Sequence, residues 1–559
     1  MSKLVECVPN FSEGRDPEII RQITDAISSA DGVTLLDVDP GASTNRTVVT
    51  FVGSPEAAVE GAFRGMKKAA ELIDMRKHRG EHPRMGATDV CPFIPVSDVS
   101  WEEAIECARQ LGRRVGEELG IPVYLYEKAA PDPARSNLAV IRAGEYEALP
   151  DKIKRWKPDF GPQEFNARSG ATAIGAREFL IAYNVNLNTR SVRRANAVAF
   201  DVRENGRVKT EDGKPTGKPV RDEKGEPVRI PGMLKHVKAI GWFVEEYGMA
   251  QISMNLTNIE QTPLHLAFEA CSECAAKRGL RVTGSELVGM IPKKSLLDAG
   301  RYFLRKQHVS EGVAEEELID VAVRSLGLAE LKPFVPREKI IEEKIAAAGK
   351  RSLLRMTLRE FCNETLSDSP APGGGSVAAL MAALGTSLGG MVANLSAGKR
   401  GWEDQLEYFS EWAVKAQGLK DELLFLVDED TAAFNCVMAA LALPKQSEAE
   451  KAARGQAIQE ANKYAAEIPL RVMETSMKAY DLLAAMGERG NPASMSDVGV
   501  GLLATRAGIE GAGMNVRINL GSLKDEAARQ KLQARCQELI AASEKRFADQ
   551  HRLVESKLG

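Results

Sequence analysis

Val377–Ala397 reads VAALMAALGTSLGGMVANLSA, a stretch without a single charge, and its reading decides what kind of chain this is. It is long enough to cross a bilayer. Its residues are mostly Ala, Gly, Ser, Thr and Asn, with few of the Leu, Ile and Phe that make insertion favourable. The expectation is therefore a buried central helix whose small side chains let its neighbours approach closely, and no membrane span. Around it, from Thr357 onward, no convincing strand pattern occurs. Helical periodicity runs through 357–366, 376–397, 403–440, 446–486 and 523–556, with breaks at Pro370–Gly375, Pro444 and Gly490–Pro492. This predicts an all-α helical bundle with long antiparallel helices.

Upstream the pattern changes. LVECVPNF, VTLLDVD and RTVVTFVG are short, β-branched-rich and bounded by Gly, Pro or Asn, which predicts strands. Ser54 and Pro55 open a helix whose apolar residues Val59, Ala62, Phe63, Met66, Ala70 and Ile73 share one face. Ser100 and Glu103 form a capping box for the next helix and Gly120 ends it, with PVYLYEKA following as a strand. A second unit begins near FLIAYNVNL and continues through VKAIGWFV, AQISMNLTN, a helix with Thr262 as cap and Pro263 in its first position, and RVTGSELVGMIP. Arg203–Pro227 is hydrophilic and reads as an exposed hairpin or loop. The fold class is thus an α/β (α+β) N-terminal half in two sandwich-like subdomains, with a ligand cleft expected between them. The domain limits expected are 1–181, 182–338, a charged linker at 339–352, and 353–559.

Bulk composition narrows the function. The 559 residues suggest roughly three to four domains. They carry a net charge of −4 with a pI near 6.1, so no basic excess is available for nucleic acid. MSKLVECVPNFSEG lacks the apolar core of a signal peptide, and eight cysteines scattered along the chain do not read as a disulfide framework. A cytoplasmic protein is expected. Cys271 and Cys274 form a CxxC inside a predicted helix, where packing is the simpler role than redox or metal chemistry.

Chemistry can be sought among only six histidines. His78 and His82 have the four-residue spacing of helical zinc ligands, but Gly80 and Pro83 break any helix there, and no metal is expected. His82 lies in RGEHPRMGATDVCPFIPV, a polar turn feeding a strand. An imidazole with an ordinary pKa of about 6.5 can accept and return a proton at neutral pH, though a turn histidine without chemistry fits the same pattern. Asp37 and Asp39 stand at the end of a predicted strand. Asp39 either orients a histidine or contacts an amine, or else satisfies local backbone in an Asx-turn. GPQEFNARSGAT (161–172) places backbone donors beside Arg168, suited to a carboxylate or flat polar ligand. Gly373, Gly374, Gly375 and Ser376 lead into the long helix, where free N–H groups favour an anion. Asp428 and Asp430 sit in LLFLVDEDTAAF, either as a solvated stripe or as carboxylates buried with a shifted pKa.

VECVPNFSEGRD, HRGEHPRMGATDVCPFIPV and GPQEFNARSGATAIGAREFLIAYNVNL together resemble the formiminotransferase domain of folate-dependent histidine breakdown. PAPGGGSVAAL, LVDEDTAAF and ALPK resemble the cyclodeaminase domain, and the order is that of the bifunctional formiminotransferase-cyclodeaminase family over nearly the whole chain. The resemblance implies transfer of a formimino group from N-formimino-L-glutamate to N5 of tetrahydrofolate. Ring closure to 5,10-methenyltetrahydrofolate with loss of ammonia then follows. It implies His82 as the transferase acid–base and Asp430 as the proton carrier of ring closure. Asp39 and Asp428 would give catalytic support, Asp428 by raising the pKa of its neighbour. The folate segment it implies is Gln163, Glu164, Phe165, Asn166, Ala167, Arg168, Ser169, Gly170, Ala171 and Thr172. Tetrahydrofolate, polyglutamylated, is expected as substrate, and a homo-oligomer built from dimers as the assembly. Alternatives on the same folds are a formylglutamate-using transferase, a methenyltetrahydrofolate cyclohydrolase, or a helical half that serves only oligomerisation.

Overall fold

The computed structural model describes residues 3–42, 44–80, 83–214, 216–348 and 352–558, with the side chains of 346–348 left aside. They fall into two compact units, Met1–Asp298 with Val323–Gly349, and Ala299–Ala322 with Lys350–Gly559.

The first unit holds two sheets. One contains β1 (Leu4–Cys7), β2 (Asn10–Phe11), β3 (Thr34–Gly41), β4 (Arg46–Gly53), β5 (Thr88–Ser97), β6 (Val123–Glu127) and β7 (Thr172–Ala176). β4 lies between β3 and the broken strand β1/β2, which pairs on its other side with β5; β7 and β6 then continue the sheet in parallel. Strand alternation divides its faces. Val5, Cys7, Val49, Phe51, Cys91 and Phe93 point into a core covered by α1 (Pro17–Ser28), α2 (Pro55–Leu72) and α3 (Trp101–Leu119). Glu6, Val8, Asn10, Asp37, Asp39, Arg46, Val48 and Thr50 point the other way, into a cavity. The caps expected of α2 and α3 are present. Ser54 accepts from Ala57 N, Ser100 and Glu103 form the capping box, and Gly120 adopts φ +62° where a left-handed residue ends the helix. Two short helices, α4 (Leu138–Arg142) and α5 (Leu149–Arg155), follow β6 in the chain.

The second sheet is antiparallel, in the order β11 (Val237–Val244), β12 (Met249–Leu256), β8 (Ile181–Leu187), β13 (Val282–Val288). Helix α6 (Val192–Val202) packs on β11, and Gly241 permits this because a Cβ there would meet the Ala195 backbone at 2.5 Å. Between α6 and β11 the chain forms the expected hairpin, a ribbon of β9 (Arg207–Val208) and β10 (Arg229–Ile230). Helix α7 spans Leu264–Ala276 and begins one residue later than expected. Pro263 occupies its cap, while Thr262 is spent on the Lys235 carbonyl at 2.6 Å. Cys271 and Cys274 pack against the sulfurs of Met254 and Met233. Helices α8 (Lys293–Lys306) and α9 (Glu315–Leu326) fall mostly in the stretch Ala299–Ala322 that belongs to the helical unit, and α10 (Pro336–Lys339) and α11 (Ile341–Ala348) complete the α/β half. The stretch read as linker buries Ile340 and Ile341, the latter against Leu36 and Val52.

The helical unit contains α12 (Leu358–Leu366), α13 (Gly374–Ala397), α14 (Leu406–Ala442), α15 (Glu448–Arg489), α16 (Met495–Leu520) and α17 (Glu526–Leu558). Helix α13 is long and apolar enough to cross a membrane, but it is mostly buried here, packed against α14, α15 and α16. Helix α16 is an addition to the helices expected. Gly499, Gly501, Gly508, Gly511 and Gly513 weaken its propensity, so the periodicity did not announce it. Tertiary contact requires several of them. A Cβ on Gly508 would meet Ala382 Cβ at 2.8 Å, and one on Gly501 would meet Leu483 at 2.8 Å.

Candidate active sites

The two sheets of the α/β unit enclose a cavity of about 480 Å³. Its wall from the first sheet carries Asp37 and Asp39, and its opposite wall carries Lys238, Asn255 and Thr257. Asp39 does not end its strand as expected. β3 runs on to Gly41, with Asp39 opposite Val48 and Asp37 opposite Thr50, so both carboxylates line the cavity instead of closing an Asx-turn. Burial, then the charge of Asp37, raises the Asp39 pKa against the opposing pull of Lys339. Glu6 was not anticipated. It is 5% exposed and is pushed up to about 7, first by burial, with Arg177 opposing and Glu342 adding to the shift.

Near the start of β4, Asp89 is fully buried and accepts from Arg46 and from Arg142, the latter at 2.6 Å. These three residues were also missed. They are separated by 43 and 53 positions, so no local motif unites them, although an aspartate inside the apolar strand β5 was a signal to pursue.

His82 lies outside the described residues. The chain on either side is firmly held. A Cβ on Gly80 would meet the Thr44 carbonyl oxygen at 2.2 Å. His78 is buried, its Nδ1 accepts from Arg84 at 3.2 Å, and its Nε2 therefore donates to the Asn45 carbonyl at 2.9 Å. Arg84 also reaches Glu145 and Glu147. His78 thus has both ring nitrogens engaged in positioning this turn.

The segment Gln163–Thr172 forms a compact turn stitched to the same region. Ser169 O accepts from Ala87 N at 2.9 Å and Ala171 N donates to Met85 O at 3.0 Å. Asn166 bridges Ser169 N and the Gly120 carbonyl, and Phe165 packs on Tyr146. Arg168 does not present its guanidinium beside free donors as expected. It donates to the carbonyls of Ala70 and Glu71 at the end of α2, where a cation suits the helix dipole. Gln163 binds the Ile153 carbonyl, Glu164 is exposed, and Thr172 is buried as the first residue of β7. Among the described residues, none of this segment lines the cavity.

In the helical unit two separate expectations become one site. Ser376, in the first turn of α13, donates its hydroxyl to Asp430 Oδ2 at 3.1 Å, and its backbone N–H adds a second bond. The anion at this helix start is the chain's own aspartate. Gly375 makes the approach possible, since a Cβ there would stand 2.0 Å from Asp430 Oδ1. Burial raises the Asp430 pKa, and the Ser376 bonds restrain the rise. Thr431 Oγ1 lies 3.3 Å from Ser376 Oγ, and Asn515 of α16 stands beside Gly374; neither was anticipated.

Asp428 takes no part in this arrangement. Two residues along a helix point to nearly opposite sides. Asp428 accepts from Leu353 N at 2.8 Å and from the Ser352 hydroxyl, pinning the 3₁₀ turn Leu353–Arg355. It is not among the causes of the Asp430 shift, so the expected like-charge coupling is absent. A larger hollow of about 730 Å³ in this unit, walled by Arg305, Glu403, Glu407 and Glu411, includes neither Asp430 nor Ser376.

Family comparisons match three stretches in order. Residues 4–177 match the formiminotransferase domain, N-terminal subdomain; 182–346 the formiminotransferase domain; and 357–538 formiminotransferase-cyclodeaminase. A formimidoyltransferase-cyclodeaminase of Rattus norvegicus is 45% identical over 97% of this chain and 96% of its own length. A glutamate formimidoyltransferase of Thermoplasma acidophilum is 46% identical over 57% of this chain and 98% of its own. A methenyltetrahydrofolate cyclohydrolase of Methylorubrum extorquens is 37% identical over 31% of this chain and 82% of its own. With its matching domains in this order and its near full-length relative, the chain belongs to the formiminotransferase-cyclodeaminase family.

Proposed function

We propose that this chain transfers the formimino group of N-formimino-L-glutamate to N5 of tetrahydrofolate, then cyclises the product to 5,10-methenyltetrahydrofolate with release of ammonia. In the first step N5 attacks the formimino carbon and loses its proton, and the glutamate nitrogen gains one and leaves. We assign that shuttle to His82, with Asp39 facing the cationic formamidine from the cavity wall. In the second step N10 attacks the same carbon, its proton is taken up, and the amine departs as ammonia.

The observation that carries the second assignment is Asp430 held on Ser376 at the start of α13. A partly buried carboxyl with a raised pKa keeps a protonated fraction closer to neutral pH, as a group that both accepts and donates a proton requires. The similarity of part of the chain to a methenyltetrahydrofolate cyclohydrolase favours one second reading, hydrolysis of the methenyl product in the helical half. Ammonia release separates the two.

The wider proposal includes polyglutamylated folate as the preferred form and a homo-oligomer built from dimers. Leu384, Met391 and Leu395 on α13 and Val500 and Leu503 on α16 form exposed apolar positions that support helical-unit pairing. Eight free cysteines support a reducing, cytoplasmic setting. The test uses purified chain with each half-reaction assayed separately. His82→Ala should remove most transfer from formiminoglutamate while sparing ammonia release from supplied 5-formiminotetrahydrofolate, and Asp430→Asn should do the reverse. Loss of both activities in either variant, or unchanged ring closure in Asp430→Asn, overturns the assignment.

A further inference from the structure

We propose that Arg142, held beside Arg46 on the buried Asp89, binds a carboxylate of the donor's glutamate part. The inference rests on the transfer reaction proposed above and names a specificity-determining residue for it.

Asp89 is fully buried, and it accepts from the guanidinium groups of Arg46 and Arg142, whose side chains are 11% and 15% exposed. On this wall of the cavity one carboxylate thus serves two guanidinium groups. Asp201 likewise serves both Arg207 and Arg278, but those side chains are more exposed, at 31% and 28%. Arg84 holds both Glu145 and Glu147, and Arg114 holds both Glu60 and Glu118. A largely buried guanidinium that shares its carboxylate with a second one is suited to an anion arriving from outside.

The unused donors identify which arginine meets it. Arg46 spends Nε and Nη2 on the Asn10 side-chain oxygen, at 3.1 and 2.7 Å, as well as Nη1 on Asp89. Arg142 gives Nη2 to Asp89, while its Nε is buried with no partner among the described residues. Both arginines line the cavity. A guanidinium with free donors matches a carboxylate in shape as well as charge, where an ammonium would not.

Position explains why the carboxylate is the donor's. Asp39 pairs with Val48, two residues along β4 from Arg46, a step of about 7 Å. The cavity thus offers a cationic group and an anionic one a short distance apart. Formiminoglutamate is complementary to that pair, with a cationic formamidine only a few bonds from its carboxylates. The released glutamate keeps the same anchor.

The experiment compares Arg142→Gln and Arg142→Lys with the unmodified chain. KM for formiminoglutamate and for tetrahydrofolate are measured separately, and L-glutamate binding is titrated directly by calorimetry. Arg142→Gln should raise KM for formiminoglutamate by about 30-fold, the loss expected of charge-assisted hydrogen bonds, and abolish the glutamate heat. KM for tetrahydrofolate and the ring-closure rate should stay within twofold, and Arg142→Lys should recover part of the donor affinity. A rise in KM for tetrahydrofolate with KM for the donor unchanged overturns the proposal, as does an unaltered glutamate titration. An unmodified chain that binds glutamate but transfers no formimino group would refute the transfer reading instead.

Discussion

Replacing Gly375 by alanine adds one methyl group at the point where Asp430 meets α13. The new Cβ would lie 2.0 Å from Oδ1, 2.5 Å from Cγ and 2.6 Å from Oδ2 of Asp430. A carbon–oxygen contact settles at about 3.4 Å, so the carboxylate must retreat by about 1.4 Å. From a starting distance of 3.1 Å, its bond to the Ser376 hydroxyl does not survive that move. Losing a hydrogen bond to a charged acceptor costs about 1.5–3 kcal/mol, while alanine in place of glycine within a helix returns about 1 kcal/mol. The helical unit should therefore lose only about 1 kcal/mol and remain folded. Activity should respond far more, because a displacement of roughly 1 Å in a catalytic group can cost about 100-fold. The assay is ammonia release from supplied 5-formiminotetrahydrofolate, with formimino transfer as the internal control. Gly374→Ala is the companion variant, since its Cβ would meet only the Asn515 amide at 3.2 Å and should cost little. Gly375→Ala protein that is folded and closes the ring at more than half the normal rate would refute the role given to Asp430.

Two other perturbations test the assigned environments. Glu6→Gln removes a carboxyl that burial pushes up to about 7 from an ordinary 4.5. Below pH 4.5 the group is neutral in both folded and unfolded chains, and above pH 7 its ionisation costs the folded state about 3 kcal/mol. The variant should therefore gain stability over the native chain progressively between pH 4.5 and 7, as read by denaturant unfolding of the α/β unit; an equal difference at pH 4 and pH 8 contradicts the buried-carboxyl account. Asp428→Ala should lower helical-unit stability by about 2 kcal/mol through loss of its bonds to Leu353 N and Ser352. Its ring-closure kcat should change less than threefold, and a 100-fold fall would return Asp428 to the chemistry.

Much of the fold was legible because its signals were local. The Ser100–Glu103 box, Gly120, the alternation along β4 and the small-residue helix α13 each follow from neighbouring residues alone. Helix α16 was hidden because its glycines satisfy a tertiary demand that opposes helix propensity. The two aspartates of LLFLVDEDTAAF were indistinguishable by composition, and only helical phase separates Asp430 on Ser376 from Asp428 on Leu353. Arg168 looked like a ligand group because its loop is polar, yet its partners are carbonyls almost a hundred residues upstream. Arg46, Asp89 and Arg142 came together only through sheet pairing and the placement of α4, long-range events that no single segment announces.

The close seam between α13 and α16 has a consequence for how the catalytic pair is located. A Cβ on Gly385 would strike the Gly501 carbonyl oxygen at 2.7 Å, and one on Gly508 would strike the Ala378 carbonyl at 2.9 Å. Contacts between backbones have no rotamers through which to relax, so the seam acts like a keyed joint: sliding one helix along the other runs atom into atom. Ser376 stands nine residues, or about 14 Å, before Gly385 on the same rigid rod. The tolerance on its hydroxyl is thus set by parts of the molecule that never meet the reacting atoms. Enlarging a small residue several turns away should detune ring closure while every group at the reaction centre keeps its identity.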